Sequence, residues 1–295
     1  MESAQNSIAI EQSSQEYKAD LLVVAALHKE KKWLQKVFDV EWRNVERDGV
    51  IFQVADYKID DKTFKIVAVS QLHMGMPQAA ILTTRSIMLW SPSVVVMTGI
   101  CAGVEGQVTM GDLVIANKVF DYGSGKVVSG KLRPNFEPVQ IDAWIWQLLE
   151  LFRHDEAVLE QIDREYPLDD GRPGSPLVAH LGSMGCGSAV VADAAIIEEI
   201  VLTERKLLAV DMESYAVALA TSLSTTPTRR IEFFIVKSVV DFANSLKGDT
   251  HHNYSCYVSA AFLKKFWDRY YRQLFLDNAR SDFSTIIPCL RNLIR

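Results

Sequence analysis

Three carboxylates stand where this chain could move protons. Glu30, Glu213 and Asp241 each follow a short apolar run: Asp20 to Ala26 (DLLVVAA), Leu207 to Val210, and Ile231 to Val240 (IEFFIVKSVV), which ends directly at Asp241. Unbroken runs of that length suit strands covered on both faces, as in an α/β sheet. Ligands of such sheets bind beyond the carboxyl ends of the strands, so these acids, with His28 near the first, sit where general acid–base work is done. Glu30 also has a plainer reading, a solvated first-turn acid favoured by the helix dipole.

Small residues accompany the acids. In Val94 to Tyr122 an apolar run is followed by Gly99, Ala102 and Gly103, which let a ligand or another backbone approach closely. Gly111-Asp112 reads as a tight turn into a further strand, Leu113 to Ala116. A second small-residue cluster, GSMGCGSAVVAD, follows a short strand at 178–181, and Asp193 reads as the N-cap of the helix after it. A glycine-rich connection between buried strands is the alternative for either cluster.

The elements that must position these groups follow from periodicity. HKEKKWLQKVF puts Trp33, Leu34 and Val37 on one helical face. Val50 to Tyr57 and Phe64 to Ser70 read as a hairpin, Pro77 to Leu89 as a helix, 141–165 as a helix, and His251 to Gln273 as a long terminal helix. Strand, helix, strand in succession implies a crossover, so the expected fold is α/β. It is read as a single three-layer domain with a central mixed, mostly parallel twisted sheet flanked by helices. The domain is placed at 18–276, with a flexible arm at 1–17 and a tail at 277–295. Between Tyr122 and Pro138 lies a polar excursion whose Lys126, Lys131 and Arg133 make it locally basic, either a solvated loop or a place to meet an anionic substrate group.

Composition narrows the function. The chain has 295 residues, 48% of them hydrophobic, enough for a sizeable core, and no apolar run nears the roughly 18 to 20 residues of a membrane span. A net charge of −6 without a long basic run argues against nucleic acid as partner. Cys101, Cys186, Cys256 and Cys289 lack CxxC spacing and read as free thiols of a cytoplasmic protein. His251 and His252 are adjacent rather than one turn apart, so no metal site is expected, and no cofactor. The partner implied is a small molecule.

Four strand-end segments, VVAALHKE, MTGICAG with MGDLVIA, VDMESYAVA and VKSVVDFAN, agree in order and spacing with one family. The chain resembles the purine nucleoside phosphorylase and nucleosidase superfamily, nearest its 5'-methylthioadenosine/S-adenosylhomocysteine nucleosidase branch, over about 20–275. The resemblance implies that Asp241 protonates N7 of the purine, Glu213 with Met212 holds the ribose hydroxyls, and Glu30 activates the attacking water. It further implies a floor of Ile100, Cys101, Ala102 and Gly103, an adenine wall over Gly187 to Val191 in which Val190 and Val191 replace bulkier residues, and a homo-oligomer. Cleavage leaves an anionic purine and an oxocarbenium-like sugar, for which a proton donor at the base and carboxylates at the sugar are suited. Ile100 and Val240 stand where relatives often carry hydroxyl residues, which leans towards water rather than phosphate as nucleophile, and Lys237 replaces a common Arg. GICAG and DYGSGK resemble nucleosidase-like modules of regulatory or defence systems. The expected activity is hydrolysis of an adenine nucleoside or nucleotide to release adenine; a phosphorylase and a non-catalytic nucleoside-binding module are the alternatives.

Overall fold

A computed structural model of the chain describes residues 18–189, 193–243 and 249–280. The expected arm at 1–17, the tail positions 281–295, and Val190 and Val191 lie outside the described residues. In chain order the elements are β1 (Leu21–Ala25), α1 (His28–Phe38), β2 (Arg43–Arg47), β3 (Val50–Ile59), β4 (Lys62–Ser70), α2 (Met76–Trp90), β5 (Val94–Gly103), β6 (Leu113–Asp121), β7 (Gly125–Val128), β8 (Lys131–Pro134), β9 (Val139–Gln140), α3 (Ala143–Arg153), α4 (Glu156–Arg164), β10 (Ala179–Cys186), α5 (Ala194–Thr203), β11 (Leu207–Asp211), α6 (Ser214–Ser224), β12 (Glu232–Asp241) and α7 (His252–Arg280).

β1 is buried at every position because both its edges are taken, by β4 and β5, each parallel to it. The main sheet runs β11-β10-β6-β12-β5-β1-β4-β3-β2. It departs from the expected sheet in two ways. Its ladders divide evenly, five parallel and five antiparallel, so it is mixed rather than mostly parallel. Moreover, one half does not lie as a layer. β11 returns to pair with β5 through Ala209↔Gly103 and Val210↔Ala102, closing β11, β10, β6, β12 and β5 into a barrel-like core. Register shifts at Gly182/Ser183, Ser183/Met184 and Val239/Asp241 supply the local bends that closure needs. At the crossing, a Cβ on Gly103 would stand 2.6 Å from Val108 Cγ2 and 2.8 Å from Val239 Cγ1, so glycine lets the end of β5 pack against these two valines.

α7 covers this core with a row of rings. Phe262 meets Phe152 of α3 at 5.0 Å, and Phe266 meets Phe234 of β12 at 5.2 Å, each edge-on. Full burial of each such ring stabilises by about 1.5–3 kcal/mol. The helix expected over 141–165 is two, because Asp155 caps a new start by accepting from Val158 N. β2 was not expected from its polar sequence, and the polar excursion after Tyr122 contains a hairpin, β7–β8, turning at Ser129 and Gly130 with φ of 51° and 78°. No described helix is long and apolar enough to cross a membrane.

Candidate active site

The carboxyl ends of β1, β5, β6, β11 and β12 converge on a cavity of about 130 Å³. That is close to the ~150 Å³ cavity known to hold a benzene ring, so it has room for one flat ring system, with the rest of a ligand extending through its mouth. Glu30, Glu213 and Asp241, separated by as much as 211 residues, all line it.

Glu30 lies in the first turn of α1 and is 2% exposed, so the solvated-acid reading does not describe it. Oε2 accepts from Leu27 N at 2.8 Å, the N3 glutamate reaching back to the residue that begins its own helix. Oε1 accepts from Ile100 N at 2.9 Å and so ties α1 to β5. Burial raises its pKa, opposed by Lys237 and by those backbone donors.

Glu213 precedes α6 and is 4% exposed; its Oε1 accepts from Gly75 N at 2.7 Å. Burial, and then the neighbouring charge of Asp211, push its carboxyl up to about 7. Asp211 itself accepts from Ser214 Oγ at 2.6 Å and from Ser214 N, holding the start of α6. Lys237, fully buried, places Nζ 3.4 Å from Asp211 Oδ2. Burial opposes its charge, but Asp211, Glu30 and Glu213 together hold its pKa above the ordinary lysine range.

Asp241 ends β12, where the register slips by one so that Asp241 faces Ala102. The slip is held from outside by the Gly111-Asp112 turn. Gly111 N donates to Val239 O at 2.9 Å, Val239 N donates to Asp112 O at 2.9 Å, and Ser238 Oγ donates to Gly111 O at 2.9 Å. Gly111 has φ +85°, and a Cβ there would run into Pro173 and Tyr254, so glycine is required. The turn thus clamps the strand that presents Asp241, and Asp241 Oδ1 accepts from Ala243 N at 2.8 Å.

Of the other residues expected at the site, Ile100, Cys101, Ala102 and Met212 line the cavity. Gly103 is buried one step beyond it. Burial pushes the Cys101 thiol up, so it is a wall and not a nucleophile. Lys126 and Arg133 pair across the β7–β8 hairpin and Lys131 pairs with Val128 in its register; neither Lys126 nor Arg133 lines the cavity. Ala189, within the expected adenine wall, also lines it, whereas sequence reasoning missed Leu27, Met74, Tyr122 and Asp211. Of these only Asp211 left a usable signal, an acid at a strand end three residues before a serine that begins a helix, a spacing that suits an Asx-type bond to the helix start. Tyr122 stands against Gly187, where any side chain would overlap its ring.

Residues 20–268 match the family model described as the phosphorylase superfamily. Uncharacterized protein y4jS of Sinorhizobium fredii is 32% identical over 247 residues, 82% of this chain and 59% of its own length. ATP nucleosidase Cap17 of Escherichia coli is 23% identical over 266 residues, 84% of this chain and 52% of its own. The chain therefore spans little more than half the length of these curated relatives. Among solved structures, the 5'-methylthioadenosine/S-adenosyl homocysteine nucleosidase of Helicobacter pylori superposes with a TM-score of 0.63 at 17% identity, covering 85% of this chain and 98% of that one. The futalosine hydrolase of the same organism gives 0.64 at 17% identity, covering 86% and 99%. At this identity the likeness is one of fold.

Proposed function

Because the chain belongs to the phosphorylase superfamily, we propose that it is an N-glycosidase that hydrolyses the bond between adenine and ribose in an adenine nucleoside or nucleotide. The observation that carries this reading is the meeting of Glu30, Glu213 and Asp241 on one cavity of ring-system size. In the proposed reaction Asp241 donates a proton to N7 as the base leaves. Glu213 and the backbone of Met212 hold the ribose hydroxyls, and Glu30 takes the proton of the attacking water. The nucleotide form is favoured by the name of the Escherichia coli relative, an ATP nucleosidase.

Water is preferred to phosphate as nucleophile because Ile100 and Val240 line the cavity with alkyl groups where a phosphate needs donors, and the cation beneath it, Lys237, is buried and drawn to Asp211. The cations of the β7–β8 hairpin serve in this reading to attract the substrate's phosphates. Exposed apolar side chains, Met74 on the cavity lining and Leu72 and Ile81 on the neighbouring surface, support a homo-oligomer. Buried free Cys101, Cys186 and Cys256 suit the reducing cytoplasm.

Chromatography of ATP, AMP, adenosine and 5'-methylthioadenosine incubated with the protein tests the proposal. Free adenine with the matching ribose product supports hydrolysis, a sugar 1-phosphate formed only with added phosphate supports a phosphorylase, and no product from any of them leaves the binding-module reading.

A further inference from the structure

A second cavity opens beside the first. It is a groove of about 550 Å³ between the start of α1, the end of β4 and the face of α2, lined among others by His28, Lys31, Gln71 and Arg85. Only short segments separate the two: Leu27 lines the first cavity and His28 the second, Met74 the first and Leu72 the second. The shared wall is on the sugar side, where Glu30 and the Gly75–Glu213 bond lie.

The groove contains polar groups that the fold leaves unused. Lys31 is 7% exposed, yet its side chain makes no hydrogen bond or ion pair among the described residues, and desolvation lowers its pKa. A lysine covered along its stem, whose ammonium still meets solvent and has no anion, is uncommon in natural chains and leaves its charge available to a ligand. Gln71 is also 7% exposed, and both of its amide atoms, Oε1 and Nε2, lack a partner; so does Oε1 of Gln53 on the same groove. These groups lie at the N-terminus of α1, whose dipole favours negative charge. Arg85, by contrast, is already paired with Asp48 at 2.9 Å and stands at the rim.

We propose that this groove is an anion subsite that receives the phosphate groups on the 5' side of a nucleotide bound in the first cavity, with Lys31 as its charged contact and Gln71 beside it. The inference rests on the nucleosidase reading for the position of the sugar, but the affinity of the groove for phosphate does not. It makes the protein selective for nucleotides over nucleosides by a side chain one residue along the helix from Glu30 and outside the reacting atoms.

The test uses Lys31→Met, which keeps the buried stem and removes the charge, and Lys31→Arg, which restores it. For the unaltered protein, inorganic tripolyphosphate should bind by calorimetry and compete with ATP. Lys31→Met should lose that binding and raise KM for ATP at least tenfold, with kcat and the KM for adenosine within twofold, while Lys31→Arg recovers most of the loss. Tripolyphosphate binding that survives Lys31→Met, binding that does not compete with ATP, or equal changes for ATP and adenosine would each overturn the proposal. Should no substrate release adenine, the nucleosidase reading fails, and calorimetry with tripolyphosphate alone still decides whether the groove takes phosphate.

Discussion

The carboxylate of Glu30 occupies the space that a side chain at Gly99 would fill. A Cβ at position 99 would overlap Oε1 and Cδ of Glu30, and Gly99 holds φ at +148°, where L residues are strained. Here the small-residue stretch makes room for a protein carboxylate rather than for a ligand. Glu30 can bridge α1 to β5 through Ile100 N only because position 99 is empty.

Gly99→Ala should therefore act as an indirect Glu30 variant. The backbone strain costs about 1–3 kcal/mol, and displacing the carboxylate proposed as the base should lower kcat by about 10²-fold or more. Adenine release and thermal melting, measured on the same preparation, check it. A melting shift with full turnover would show that Glu30's position is not needed for chemistry.

Glu30→Gln keeps shape but removes the group proposed as the base. One of the two backbone donors now held by the carboxylate, Leu27 N or Ile100 N, would confront an amide NH₂, so stability should fall by about 1–3 kcal/mol. The larger effect is expected on kcat, with KM nearly unchanged, since a general base acts in the transition state. Steady-state kinetics beside denaturant unfolding separate the two effects.

Asp241→Asn should abolish release of adenine, by about 10²-fold or more, while leaving the fold intact. Its Oδ1 acceptor role toward Ala243 N can pass to the amide oxygen, and the Gly111-Asp112 clamp acts on Val239 and Ser238 rather than on Asp241 itself. Turnover near that of the unaltered protein would sink the assignment of Asp241 as the acid for N7.

Glu213 ties stability to pH with a definite sign. Its carboxyl is raised from 4.5 to about 7 in the folded chain, so the folded state holds the proton more tightly than the unfolded one. The stability it contributes is present below about pH 4.5 and is lost as pH rises through about 7. Glu30 is shifted in the same direction, whereas Lys237 is raised from 10.5 and loses its contribution only above this window. Glu213→Gln keeps an oxygen for Gly75 N and removes the titration. The melting temperature of the variant minus that of the unaltered protein should rise between pH 4.5 and 7.5, and a flat difference would contradict the assignment.

The strand ends were legible because each acid follows an apolar run long enough to be buried on both faces, as Ile231 to Val240 does before Asp241. What could not be read were relations set by distant segments. Nothing near Lys237 shows that its ammonium lies against Asp211, since the two strands meet only on folding. Nor does any local pattern show β11 pairing back to β5, because closure depends on Gly103 and on bulges in three ladders. β2 was missed because RNVER is an edge strand exposed at three of its five positions and fully buried at none, so burial left no alternation in its sequence. The β7–β8 hairpin was hidden by its glycines, although the Ser129-Gly130 turn was a usable sign.

That hairpin carries the last prediction. Lys126 and Arg133 are directly opposed across it, a like-charge pair that is unfavourable in a two-stranded ribbon unless an anion is nearby. The hairpin follows Tyr122, which lines the cavity, and both cations are exposed. In the proposed function they therefore act at a distance, raising the rate at which a negatively charged nucleotide finds the site. Such steering is screened over about 10 Å at 0.1 M salt. Lys126→Ala with Arg133→Ala should lower kcat/KM for ATP severalfold at low ionic strength and leave kcat unchanged, with the difference vanishing near 0.5 M salt and adenosine unaffected throughout. A loss for ATP that persists at high salt would instead mean direct contact with phosphate, and a change shared by adenosine would mean that the hairpin shapes the cavity.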